Sequence, residues 1–240
     1  CCKGYCPNRN EYPKTIFSCV TKNYTKKKNI FSNVGNMVLI TPSQWLKNEI
    51  EKSFLKDYET VVIHNGVDTS IFKPTPSDIR QQYGIEDKKI ILGVASVWDK
   101  RKGLNTFLEL SKEIDDEYQI VLIGLNSKQI KQLPSNIIGI SRTESVQELV
   151  EWYSAAYVYF NPTLEDNYPT TNLEAISCGT PVVTFETGGS PESVVGNGII
   201  INDELKYFTT KLRCLNNIII NNSVFSNDFM NDKYKGEYIL

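Results

Sequence analysis

Residues 161–192 read NPTLEDNYPTTNLEAISCGTPVVTFETGGSPE, and this run decides the fold. Ahead of it, Tyr157-Val-Tyr-Phe160 is a β-branched and aromatic stretch suited to a buried strand, which Asn161-Pro162 breaks. Pro169-Thr170-Thr171 offers a proline stop and capping hydroxyls for a helix over 171–178, with Gly179 as its C-terminal stop. Pro181-Val-Val-Thr-Phe185 is the next strand, so the unit is strand, loop, helix, strand. In such a unit the helix N-terminus presents N–H groups and a partial positive charge at the carboxyl end of the strand, which suits a phosphate. Glu165, Asp166 and Glu174 are wrong for that phosphate and right for hydroxyls, because an ionised carboxylate accepts two hydrogen bonds from neighbouring sugar or ribose groups. Gly188-Gly189 ahead of Ser190-Pro191-Glu192 reads as a turn before a short helix; its glycines permit close approach to a ligand, and a plain turn explains them equally.

Working outward, the same alternation continues. Strands are expected over 89–95, 119–124, 136–140, 156–160, 181–185 and 198–201, and helices over 103–114, 145–155 and 171–178. Apolar runs alternating with helical patterns indicate an α/β fold with a doubly wound parallel sheet. Upstream, a strand at Met37-Val-Leu-Ile40 ends at Thr41-Pro42, Ser43 caps a helix running to Phe54, and Thr60-Val-Val-Ile63 is a further strand ended by His64-Asn-Gly66. Residues 1 to about 33 read as polar and irregular, with a basic segment from Lys22 to Lys28. From Asp203 onward the pattern is helical, with Leu205, Phe208, Leu212 and Leu215 at helix spacing.

Composition narrows the function classes. The chain has 240 residues, 40% hydrophobic and 22% charged, which suits one large domain or one domain plus part of another. A formal charge of −2 gives no reason to expect nucleic acid. No apolar run approaches the roughly 20 residues that span a bilayer. The opening Cys1-Cys2-Lys3 leads us to expect a piece of a longer protein. No Walker loop and no Gly-x-Gly-x-x-Gly occurs, which argues against an ATPase and a dinucleotide oxidoreductase. His64 is the single histidine, so this chain assembles neither a Ser-His pair nor a multi-histidine metal site, and a structural strand-end role is the simpler reading. Cys178 and Cys214 fall in helical patterns as buried thiols. Cys1, Cys2, Cys6 and Cys19 crowd the N-terminus; reduced thiols are the favoured reading and zinc the minority one.

Arg101-Lys102-Gly103 stands just beyond the apolar strand Ile90-Ile-Leu-Gly-Val94, and Glu174 follows a second such strand. Alone, Arg-Lys-Gly is a solvated basic loop and Glu174 a helix-start acid. Both lie at carboxyl strand ends, however, where open α/β sheets bind ligands.

Three separated motifs together resemble the nucleotide-sugar-binding domain of the retaining GT-B glycosyltransferases of family 4, within it the bacterial enzymes that build surface polysaccharides. They are Val62-Ile-His-Asn-Gly-Val-Asp68 with Phe72-Lys-Pro74, then Arg101-Lys-Gly103, then Glu165-Asp-Asn167 through Glu174-Ala175 with Cys178-Gly-Thr-Pro-Val-Val183 and Gly188-Gly189. The resemblance covers residues 60 to 200. It implies that 1–72 is a remnant of the acceptor domain and linker, 73–225 the Rossmann-like nucleotide-sugar-binding domain, and 226–240 a helix returning toward the first domain. That last helix is expected to expose apolar surface.

The resemblance also implies roles. The family pairs two acids separated by seven residues, a spacing that Asp166 and Glu174 share; its first acid is usually Glu, and Glu165 lies one residue too far. Glu174 would hold ribose hydroxyls, and Asp166 or Glu165 the donor sugar. Lys102 matches a diphosphate-neutralising Lys. The family's Arg position falls near Val97 and Trp98, so Arg101 is its substitute. The helix start at Thr170 and Thr171 would assist the departing diphosphate, Asn167, Gly188 and Gly189 would line the donor, and Arg142 stands in the Ser141-Arg-Thr-Glu144 loop where the family holds the nucleobase. The implied reaction moves a sugar from a nucleoside diphosphate sugar to a hydroxyl of a saccharide or lipid-linked saccharide with retention, without metal or cofactor, in the cytoplasm. Peripheral contact of Lys22–Lys28 with the inner membrane face is a weaker expectation beside a solvated face. Two readings remain beside this one: a GT-B sugar-nucleotide epimerase and a non-catalytic nucleotide-sugar-binding module.

Overall fold

The computed structural model describes residues 19–202 and 204–212. Its centre is a six-stranded, all-parallel sheet built from β3 (Lys89–Val94), β4 (Tyr118–Ile123), β5 (Ile137–Ile140), β6 (Val158–Asn161), β7 (Val182–Phe185) and β8 (Gly198–Ile201), in the order β5-β4-β3-β6-β7-β8. The chain therefore lays strands outward from β3 in one direction, then returns to its other side and lays the rest in the opposite direction. That reversal puts a topological switch point between β3 and β6, where ligands bind in doubly wound sheets.

The strands form where β-branched residues gather, and period-two alternation sends them to two cores. Ile90 and Leu92 face one layer with Val121, Ile123 and Val182, against Trp152 and Tyr153 of α6 (Val146–Ala155) and Leu173 and Ile176 of α7 (Thr170–Ser177). Ile91 faces the other with Leu122, Val158 and Phe160, against Phe107 and Leu110 of α4 (Leu104–Leu110) and Phe208 of α8 (Lys206–Leu212). Phe160 is the hub of this second layer, its ring meeting those of Phe107, Phe185 and Phe208 at centroid distances of 5.3, 5.7 and 4.2 Å.

Ahead of this sheet, β1 (Val38–Thr41) and β2 (Glu59–Val62) form a two-stranded parallel pair joined through α2 (Gln44–Glu51), whose N-cap is Ser43 as the sequence indicates. The segment before β1 corrects the sequence reading: Val20–Phe31, expected to be irregular, is the helix α1. It lacks any buried residue and so carries no apolar stripe to announce it; Tyr24 meets Phe54 edge-on at 5.4 Å, and the Tyr58 hydroxyl holds its C-terminal end by donating to the Phe31 carbonyl at 2.5 Å. Two single-turn helices, α3 (Ile79–Gln82) and α5 (Ser127–Ile130), also escaped the sequence pattern, being shorter than one apolar period. The helix expected to return from residues 226–240, and Cys1, Cys2, Cys6 and Cys214, lie outside the described residues.

Candidate functional site at the switch point

The loop after β3 and the loop after β6 meet across the switch point. Gly103 makes this approach feasible: it caps α4 with φ +78, and a Cβ there would stand 2.4 Å from the Pro162 carbonyl oxygen. The two loops are then stitched together. Leu164 N donates to Arg101 O at 2.8 Å, an Arg101 Nη1 donates to Glu165 O at 3.1 Å, and Lys102 Nζ forms an ion pair with Asp166 Oδ2 at 2.6 Å. Lys102 is itself positioned by Asp99, whose carboxylate accepts from its backbone N–H at 2.9 Å. The Lys102 and Asp166 side chains retain 24% and 18% exposure, so their charges stand partly desolvated, where an incoming anion would compete for the ammonium.

The second acid of the pair sits beside two buried tyrosines, Tyr153 and Tyr159, whose rings meet edge-on at 5.6 Å. The Tyr159 hydroxyl donates to Val94 O at 3.3 Å and shares a hydrogen bond with Thr171, and burial drives this phenol well above its ordinary pKa, with the Glu174 and Asp166 charges adding to the effect. Both carboxylates therefore lie within electrostatic reach of one buried hydroxyl between the ends of β3 and β6. Glu174 accepts from the Tyr153 hydroxyl at 2.8 Å. Its carboxyl is raised by burial, against the hydrogen bonds from Tyr153 and Thr170 that lower it.

The threonines at the start of α7 are a correction to the sequence reading. The N-cap is Pro169, with no side-chain cap, and the hydroxyls turn elsewhere: Thr170 to Glu174 and Thr171 to Tyr159. The helix start thus receives no cap from its own threonines, and their side chains fix an acid and a phenol instead.

The glycine turn closes against the acidic loop from the other side. Gly188 has φ +56, and a Cβ there would meet Asp166 O at 2.2 Å; a Cβ on Gly189 would meet Asn167 O at 1.7 Å. Gly189 N donates to Asp166 O at 2.9 Å. The turn is glycine because backbone lies on backbone here. Structure therefore brings Arg101, Lys102, Glu165, Asp166, Asn167, Gly188 and Gly189 to one place, with Thr170, Thr171 and Glu174 alongside. Arg142 stands apart: it is exposed in the loop after the edge strand β5, beyond β4 from the switch point.

Sequence reasoning missed three features. Asn161 Nδ2 donates to Asn172 Oδ1, and Asn172 Nδ2 to Ser193 Oγ, each at 2.8 Å, so a buried polar chain ties β6, α7 and the 3-10 turn Pro191–Val194 behind the acidic loop. His64 stacks on Tyr168 at 4.8 Å and its Nδ1 lies 2.8 Å from Pro42 O. Glu192 accepts from the backbone of α2. No local signal marks these, since each joins residues far apart in sequence. Among the described residues no group of three His, Cys, Asp or Glu gathers to hold a metal, and no helix is long and apolar enough to cross a membrane.

A doubly wound parallel sheet of this order is an α/β unit with the fold of the GT-B glycosyltransferases. The sequence profile of the family described as "Glycosyl transferases group 1" matches residues 88–217, which takes in the whole of this sheet, and the chain belongs to that family. Among curated relatives, the D-inositol 3-phosphate glycosyltransferase of Corynebacterium jeikeium is 26% identical over 191 residues, covering 70% of this chain and 46% of that protein. The O-antigen chain mannosyltransferase RfbU of Salmonella typhimurium is 23% identical over 210 residues, covering 81% and 57%. Among solved structures, Anabaena Alr3699/HepE in complex with UDP-glucose shares the fold at a TM-score of 0.73 and 19% identity, over 92% of this chain and 68% of that one. The chain spans about half the length of the curated relatives it matches.

Proposed function

We propose that the protein is the donor-binding part of a metal-independent retaining glycosyltransferase of family 4, moving a sugar from a nucleoside diphosphate sugar to a hydroxyl of a saccharide or lipid-linked saccharide in surface-polysaccharide synthesis. The observation that carries this reading is the Lys102–Asp166 ion pair at the switch point, with Glu174 on the neighbouring helix α7 held by the Tyr153 hydroxyl. Lys102, Arg101 and the uncapped amides at the start of α7 would face the diphosphate and stabilise the charge that develops on it as the glycosidic bond to the donor breaks. Glu174 would accept from ribose hydroxyls, and Asp166 or Glu165 from hydroxyls of the transferred sugar. Asn167, Gly188 and Gly189 would line the donor, and Arg142 would meet the nucleobase end. The UDP-glucose complex of a protein of this fold favours a nucleoside diphosphate sugar, and the O-antigen chain mannosyltransferase among the relatives favours a surface-polysaccharide acceptor.

A melting screen against uridine, guanosine and adenosine diphosphate sugars tests the reading, since a ligand that binds the folded state raises the midpoint by mass action. The expected result is a rise with one nucleotide class, and transfer of its sugar to an added saccharide acceptor by the full-length protein. An epimerised nucleotide sugar in place of a transferred one would reassign the site. No rise with any of the three would overturn donor binding.

A further inference from the structure

Glu192 lies in the short 3-10 turn that follows the glycine pair, yet its carboxylate belongs to another unit. Its Oε2 accepts from Gln44 N at 2.7 Å and its Oε1 from Trp45 N at 2.8 Å, across 148 and 147 residues. These are the first two amides of α2, and Ser43 Oγ takes the third, Leu46 N, at 3.1 Å. A carboxylate at this end of a helix satisfies orphan donors and meets the positive end of the helix dipole. Around it the two units touch at two further points. Gly189 is packed so that a Cβ would stand 2.8 Å from Ser43 Oγ, and His64, held to Pro42, stacks on Tyr168 of the acidic loop.

We infer that Glu192 is a latch between the two units and a positioning residue for the switch-point crevice: by capping α2 from outside its own unit, it seats the Gly188-Gly189 turn between Ser43 and the backbone of the acidic loop. Ser43 satisfies Leu46 N alone, and the two amides before it are taken by a residue of the other unit. What Glu192 adds is a tether, running from α2 through the turn to the Asp166 carbonyl that Gly189 N contacts. The consequence for the donor rests on the reading above; the latch itself does not.

Amide hydrogen exchange on the protein, Glu192→Gln, Glu192→Ala and Ser43→Ala tests this without any ligand. The expected result for Glu192→Ala is exchange at both Gln44 and Trp45 faster by roughly fivefold or more, the effect of a lost helix cap, and for Glu192→Gln, which keeps one acceptor oxygen, a quickening at one of the two. Gly189 should quicken with them, while Val183 in the interior strand β7 is unchanged. Ser43→Ala should free Leu46 and leave Gly189 protected; a purely helix-stabilising role would give the same pattern at Gly189 for either cap. In Glu192→Ala, unchanged exchange at Gln44 and Trp45, an equal acceleration at Val183, or an unmoved Gly189 amide would each overturn the latch. A uridine diphosphate titration runs alongside, with several-fold weaker binding expected in Glu192→Ala, and undiminished binding counting against the positioning role. If the nucleotide binds neither protein, the donor reading fails and the exchange data still decide the latch.

Discussion

The six-stranded unit and the two-stranded unit ahead of it differ in how each is kept in place. In the larger one, β6 and β7 are buried throughout, and Trp152, Tyr153, Tyr159, Phe107 and Phe160 are shut from solvent on its two faces. In the smaller one neither α1 nor α2 has a buried residue, and Val38 and Ile40 remain 41% and 43% exposed. Where the smaller unit meets the larger one, Glu192 accepts from the α2 amides and Tyr168 stacks on His64. The difference teaches where the chemistry is anchored. The proposed site is held by a unit with a core of its own, and the unit beside it meets that core through Glu192 on α2 and Tyr168 on His64.

The largest effect expected is a contrast of core against edge. Phe160→Ala removes the ring that meets three others and should cost about 3–5 kcal/mol in urea unfolding, whereas Val38→Ala should stay within about 0.5 kcal/mol. Comparable losses would break the distinction between the two units. A smaller effect should appear at the crevice. Asp166→Asn releases Lys102 from its ion pair and removes a negative charge beside the proposed diphosphate position, so uridine diphosphate should bind several-fold tighter, by roughly 1 kcal/mol. Titration calorimetry showing weaker nucleotide binding would mean that Lys102 does not meet the phosphates. The smallest effect concerns Glu174, whose carboxyl burial raises above the ordinary carboxylate range. A raised folded-state pKa means that the folded protein holds this proton more tightly than the unfolded chain. Glu174 therefore contributes stability at low pH that is lost as pH rises through the folded value. Glu174→Gln, which can still accept from Tyr153, should gain on the wild type as pH rises from the ordinary carboxylate range through the raised folded value; melting curves that diverge in the opposite direction would contradict burial as the dominant cause.

Much of the sheet was legible in the sequence, because each of its strands is an apolar run bounded by a turn: Ile90-Ile-Leu-Gly-Val94 and Pro181-Val-Val-Thr-Phe185 have no other easy reading. The candidate site was legible as far as it is local, since Arg101-Lys102, Glu165-Asp166 and Gly188-Gly189 each sit on one loop, and the sheet order then brings those loops together. Helix α1 stayed hidden because a helix that buries nothing leaves no periodic trace. The Thr170 and Thr171 hydroxyls were read as caps because sequence shows residue type and position but not side-chain direction; Pro169 took the cap position and the hydroxyls turned to Tyr159 and Glu174. The Asn161–Asn172–Ser193 chain and the Glu192 bond to α2 depend on long-range packing, which no window of sequence displays.

The account rests on an anion being held at the meeting of the loops after β3 and β6. Calorimetric titration of uridine diphosphate into the wild type and Lys102→Ala tests it most directly. Removal of the ammonium leaves Asp166 unpaired and facing the nucleotide, so the variant should bind at least about tenfold more weakly, close to 1.4 kcal/mol. Equal affinity in the two proteins would contradict the claim.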